Sequence, residues 1–273
     1  MGVVDERGGW VWLNGEFTDR DSVSALSSGL FYGKGVFTTV RIVGSEPWLW
    51  SRHWERLIGH AEAIRLGMPE FSDDDLAAAL HEMIRRRGFS EGRARVTMFE
   101  SSPSRHWKPD SSRSTSVLIN LAKLRPVPTP FHLTVSPYRV NSTSPLVGVK
   151  SCNYLENILA AENARSRGHA ESIRVNEKGE VTGGCMSNIF WRRGDRIFTP
   201  RLRTGCLAGT TRGFVLENLK VEEVFAGPDD IHAADAIYLT SAGIGIVAAE
   251  SFEGRKLDAG SHPILNLVPA SGH

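Results

Sequence analysis

The sequence predicts an α/β (α+β) protein of two domains, and three observations carry that reading. Runs rich in β-branched and aromatic residues alternate with amphipathic helical patterns along the chain. The 273 residues suffice for two modest domains, each with its own core. RPVPTPF places three prolines within six residues, a stiff extended connector between the two halves. The expected boundaries are an N-terminal domain over 1–121, a linker over 122–131 and a C-terminal domain over 132–273.

In the first half, WVWLNGEFT reads as a hairpin, because Asn14-Gly15 favours the positive φ values of a two-residue turn. GVFTTVRIV is a strand ending at Gly44. PWLWSRHWERLIGHAEAIRLG begins as strand and becomes a helix whose apolar face includes Trp54, Leu57, Ile58 and Ala61. SDDDLAAALHEMIRRRG is a second helix: Ser72 caps it, acids fill its first turn, arginines its last, and Gly88 stops it. RARVTMF and SVLINLAKL complete this half as strands.

In the second half HLTVSPYRV has strand alternation, and KSCNYLENILAAENARSRG sets Lys150 just ahead of a helix. ESIRVNEKGEV, SNIFWRR and RIFTP are further strands. LAGTTRGFVLENLK is a glycine turn feeding a helix with Thr210 and Thr211 in its first turn, an end suited either to capping or to an anion. DAIYLTSAGIGIVAA is a strand that brings up Thr240 and Ser241.

Composition limits the function. With 32 basic against 31 acidic residues, no electrostatic partner such as nucleic acid or a membrane surface is indicated, so a small-molecule ligand is expected. Cys152, Cys185 and Cys206 lack disulfide-framework or metal-site spacing, which fits a reducing cytoplasm. MGVVDERGGW has no signal-peptide core, and no run reaches membrane-span length. Lys150 is the leading chemical candidate, since an amine held at the edge of a packed element can be desolvated, lose its proton and attack a carbonyl.

The ordered motifs GLFYGKGVFTTVRI, HWERL, VKSCNYLENILAAENA, GEVTGGCMSNIFW, GCLAGTTR and YLTSAG resemble the fold-type IV pyridoxal-phosphate enzymes, the class IV aminotransferase family, over roughly residues 10–250. The resemblance implies a small N-terminal α/β domain, a larger C-terminal domain with a barrel-like core, pyridoxal 5'-phosphate between them, and a homodimer. It assigns Lys150 to the lysine that joins the cofactor and moves the substrate's α-proton, and Arg56 to the arginine on the cofactor phosphate. Thr210 and Thr211 match the helix start on that phosphate, and Ser241 a small residue of its pocket. Leu207 matches the apolar residue on the ring face, and Tyr154 the donor to the phenolic oxygen.

Departures from the pattern are equally informative. The glutamate usual five residues before the SNIF asparagine is Gly183, which weakens the cofactor's electron sink. Lys34 replaces the aspartate of GDG, Ser27-Ser28-Gly29 replaces DRG, and Thr38 replaces the common glutamate after the phenylalanine. FTT at 37–39 is similar to the aminodeoxychorismate lyase pattern, in which Thr39 assists the lysine. Tyr154 and SSPSRHWKP, whose Arg105 and His106 suit a carboxylate, are instead aminotransferase-like. The resemblance therefore implies a lyase releasing pyruvate from aminodeoxychorismate to give 4-aminobenzoate. A D-amino-acid or branched-chain aminotransferase is the alternative, and a relative that keeps the fold without catalysis or cofactor is a second.

Overall fold

The computed structural model describes residues 11–18, 23–103, 114–124, 126–258 and 260–269. Two compact units emerge: Met1–Leu124 with Val149–Asn153 and Ser271–His273, and Arg125–Gly148 with Tyr154–Ala270.

The first unit contains β1 (Val11–Leu13), β2 (Glu16–Thr18), α1 (Ser28–Tyr32), β3 (Gly35–Val43), β4 (Glu46–Pro47), α2 (Trp50–Ala63), α3 (Asp73–Arg87), β5 (Glu91–Glu100) and β6 (Thr115–Ala122). The strands form one antiparallel sheet in the order β2-β1-β6-β5-β3-β4. Asn14 and Gly15, at φ 49° and 96°, make the two-residue turn between β1 and β2. Ser72 and Asp75 form a reciprocal capping box on α3, and Gly88 ends that helix in the left-handed conformation. One sheet face carries Val36, Val40, Val96 and Ile119, all fully buried beneath Leu57 and Ala61 of α2 and Leu76 and Leu80 of α3. Trp54 and Ile58 pack at the margin of this core. By strand alternation the opposite face of β3 presents Phe37, Thr39 and Arg41.

The second unit contains β7 (His132–Val135), α4 (Leu155–Ser166), β8 (Glu171–Val175), β9 (Val181–Gly184), β10 (Asn188–Arg193), β11 (Arg196–Pro200), α5 (Thr210–Asn218), β12 (Val221–Val224), α6 (Pro228–His232), β13 (Ala236–Ser241), β14 (Gly245–Ala248), β15 (Ser251–Phe252) and β16 (Arg255–Lys256). They form two five-stranded sheets, β12-β11-β10-β13-β14 and β16-β15-β7-β8-β9. The inner core draws Leu133, Ile173 and Val181 from one sheet and Ile189, Trp191, Ile237 and Leu239 from the other. Phe190 and Tyr238 point the other way and are covered by Val215 of α5 and by Ile264. Burial on both faces explains why NIFW and AIYL are continuous apolar runs without alternation.

Three sequence expectations change. HLTVSPYRV yields only the four-residue β7, since Ser136 and Tyr138 are bonded to one another in a tight turn and Pro137 cannot donate to a ladder. DAIYLTSAGIGIVAA is two antiparallel strands that fold back between Ser241 and Gly245. Lys150, expected in the C-terminal domain, belongs to the first unit. Among the described residues, no helix is long and apolar enough to cross a membrane.

Leu57 is 1% exposed at the centre of the α2–sheet contact. Leu57→Ala is expected to lower stability by about 2–5 kcal/mol in urea titrations followed by tryptophan fluorescence.

Candidate functional site

Lys150 is positioned by backbone pairing. Its carbonyl accepts from the Phe37 N–H at 2.9 Å, the Cys152 N–H donates to the Gly35 carbonyl at 2.8 Å, and Val36 and Ser151 form an antiparallel bridge. The segment thus lies extended along the edge of β3, with Lys150 five residues before α4 begins at Leu155 with Tyr154 as its N-cap. Glycine is required at 35, where a Cβ would stand 2.8 Å from the Met98 carbonyl and 3.0 Å from Cys152 Sγ. Helix α2 secures the other side, as the Lys150 N–H donates to His60 Nδ1 at 3.1 Å.

The lysine Nζ lies 4.4 Å from the centroid of the Phe37 ring, and the Arg95 guanidinium covers the same ring at 3.6 Å. Burial and the nearby charges of Arg56 and Arg95 bring the amine's pKa from 10.5 down to about 7. His60 is lowered to about 4 and His53 falls well below its usual value, both through burial first and then Arg56 and Lys150. The result is a cationic cluster around an amine that is substantially unprotonated at neutral pH. Thr39 pairs with Arg95 across β3 and β5 and shares the face of Phe37.

Arg56 emerges from α2 and donates from Nη2 to Thr38 Oγ1 at 2.8 Å. Thr38 is fully buried and its hydroxyl also meets His53 Nδ1 at 2.6 Å. The first unit therefore brings together Lys150, Arg56 and Thr39 with three residues that the sequence did not single out: His53, His60 and Arg95. Strand parity was the available signal for Arg95, since RARVTMF pairs with GVFTTVRIV so that Arg95 faces Thr39. Arg105 and His106 lie outside the described residues.

In the second unit, α5 begins at Thr210 with Gly209 as N-cap and no side-chain cap. A Cβ at Gly209 would stand 2.0 Å from Asn188 Oδ1, so glycine alone permits this approach of the helix start to β10. Asn188, the asparagine of SNIF, donates to the Leu207 carbonyl at 2.8 Å and so fixes the turn before the helix. Leu207 is half-buried there. Thr211 Oγ1 and Thr240 Oγ1 are buried without a hydrogen-bond partner among the described residues, although such hydroxyls are normally satisfied. Ser241 Oγ accepts from the Ile244 N–H at 3.3 Å and serves the β13–β14 turn, leaving Thr240 as the unpartnered hydroxyl of that strand.

Gly183 pairs with Arg174, which is 4% exposed and donates to the Arg139 carbonyl and to Asn157. A Cβ at Gly183 would stand 2.9 Å from the Ser187 carbonyl, which itself receives the Gly184 N–H at 2.9 Å. The turn backbone occupies the space that a side chain would need, so the glycine is built into the turn.

Within the first unit a lysine amine and a guanidinium suit a carbonyl and an anion, and within the second an uncapped helix start beside buried hydroxyls suits an anion. The class follows: residues 35–252 match the class IV aminotransferase family, and the chain belongs to it and is an enzyme of that class. Among particular relatives, an aminodeoxychorismate lyase from Bacillus subtilis is 29% identical over 254 residues, covering 89% of this chain and 86% of that protein. A branched-chain-amino-acid aminotransferase from Escherichia coli is 23% identical over 277 residues, 94% of this chain and 89% of its own. The crystal structure of a branched-chain aminotransferase from Thermoproteus uzoniensis superposes with a TM-score of 0.88 at 27% identity, covering 95% of this chain and 92% of that one.

Three outcomes follow. Labelling of Lys150 by an amine-acylating reagent, followed by peptide mass spectrometry, is expected to rise through a midpoint near the pKa of about 7, and Arg95→Ala shifts that midpoint upward. Because the folded pKa is depressed, the unfolded chain binds the extra proton between about 7 and 10.5, so this group makes stability rise with pH across that window. Gly183→Glu is expected to destabilise by about 1–3 kcal/mol in thermal unfolding, because the backbone at Ser187 must move.

Proposed function

We propose that this enzyme is a pyridoxal-phosphate-dependent lyase of the 4-amino-4-deoxychorismate type, releasing pyruvate to leave 4-aminobenzoate, and that it works as a homodimer. The observation that carries the reading is the Lys150 amine, held on the Phe37 ring with its pKa near 7. When bound, pyridoxal phosphate supplies an electron sink for the carbon that bears nitrogen. Lys150 is the point of covalent attachment and then, as a free amine, the base that takes the proton from that carbon. Thr39, on the Phe37 face, assists Lys150. Arg56 takes the cofactor phosphate, for which its planar fork of donors is suited. Arg95, on the same face as Thr39, is placed for a substrate carboxylate.

The reaction balances without an oxidant. Loss of the ring proton and departure of the enolpyruvyl oxygen aromatise the ring, and the enol takes a proton to become pyruvate. Aromatisation supplies driving force, which relaxes the demand on the electron sink and fits Gly183. The B. subtilis relative and Thr39 support the lyase. The aminotransferase alternative, with a branched-chain or D-amino acid, is favoured by the T. uzoniensis superposition and by Tyr154 at the head of α4.

Incubation with pyridoxal phosphate, borohydride reduction and peptide mapping is expected to label Lys150. Aminodeoxychorismate should then yield pyruvate in a lactate dehydrogenase-coupled assay, and Lys150→Ala should abolish it. Pyridoxamine phosphate formed from isoleucine or D-alanine, with no pyruvate from aminodeoxychorismate, would establish the aminotransferase instead.

A further inference from the structure

We propose that His60 is a positioning residue for the Lys150 amine: its imidazole accepts the Lys150 backbone N–H and so fixes the direction in which the lysine side chain leaves the backbone. The inference deepens the reading of Lys150 as the reactive amine and rests on it.

The backbone on the two sides of the Lys150 Cα is held by two different elements. After the Cα, the Lys150 carbonyl accepts from the Phe37 N–H of β3 at 2.9 Å; before it, the Lys150 N–H donates to His60 Nδ1 of α2 at 3.1 Å. In a continuing antiparallel ladder, residues opposite one another exchange both bonds, and that amide would return to Phe37. The bridge to β3 is an isolated one, at Val36 and Ser151, and the amide goes to the helix. Each peptide unit is planar, so with both planes held the Cβ of Lys150 has a single direction. Without the imidazole, rotation about the Cα–C bond would carry the Cβ and the amine away from that direction.

The proton inventory settles the state of the ring. A backbone amide can only donate, so Nδ1 presents its lone pair and neutral His60 carries its proton on Nε2. A ring protonated on both nitrogens would set donor against donor. Burial, then Arg56 on its own helix and Lys150 on the docked segment, oppose that protonation and bring the pKa of His60 down to about 4. The acceptor is therefore in place throughout the neutral range. His60 follows Arg56 by one helical turn on α2, so one face of that helix carries both the guanidinium and the anchor of the lysine.

The test uses the full chain. In the isotope-labelled protein at neutral pH, NMR is expected to show a nitrogen–nitrogen coupling across the hydrogen bond from the Lys150 amide to His60 Nδ1; a proton on Nδ1 overturns the proposal. Accessibility of the amine is measured alongside, as the rate at which pyridoxal phosphate and borohydride label Lys150. His60→Leu removes the acceptor and should slow labelling about tenfold or more, the cost of an orphaned amide. His60→Asn, whose Oδ1 can stand near the place of Nδ1, should restore the rate to within about threefold of wild type. Wild-type labelling in His60→Leu, or equal slowing in both variants, refutes the positioning role and leaves the Lys150 reading intact. Label on another lysine of the wild type refutes that reading and the proposal with it.

Discussion

The chemistry of the first unit depends on a short backbone seam. Two hydrogen bonds, Phe37 N–H to the Lys150 carbonyl and Cys152 N–H to the Gly35 carbonyl, tie an extended segment to the free edge of β3. Without it, Lys150 would be an ordinary lysine with a flexible stem, a well-solvated ammonium and a pKa near 10.4. With it, the amine is carried to the Phe37 ring and into the field of Arg56 and Arg95. Backbone pairing of this kind is indifferent to side-chain identity except where the strands come too close for a Cβ, which is why Gly35 is fixed.

Positive charge is the theme of the cluster around Lys150, where, beyond burial, Arg56 and Arg95 both lower the pKa of the amine. Thr38 meets Arg56 as an uncharged hydroxyl, and the two neighbouring histidines have their pKa values lowered. In the second unit Gly183 leaves no side chain opposite the buried Arg174. Thr38 is fully hydrogen-bonded in a dry core, and Gly183 is sealed by the Ser187 carbonyl.

What the sequence made legible was local. Asn14-Gly15, Ser72 with Asp75, and Gly88 act through the φ angles and hydrogen bonds of their own turns, so their effects follow from a few consecutive residues. The apolar stripe of α2 and the start of α5 at Thr210 are local in the same sense. The strand that carries Lys150 was not legible, because its partner lies more than a hundred residues earlier and the pattern beside it is helical. Arg95 and His53 were hidden for a related reason. Arginine in a strand or histidine in a helix gains meaning only once register and packing put them beside Thr39 and Thr38. The unpartnered hydroxyl of Thr240 was equally invisible, since sequence shows where a hydroxyl is but not whether it is satisfied.

The membership of Val149–Asn153 in the first unit has a consequence for how the chain matures. The six-stranded sheet can assemble once β6 has left the ribosome, but its reactive amine arrives only after Arg125–Gly148 has been synthesised as part of the second unit. The nascent chain therefore passes through an interval in which the arginines are in place and the nucleophile is not. Adding the edge segment closes a long loop, an entropic cost repaid by only a few backbone hydrogen bonds, so its docking should be among the later and more reversible steps of folding.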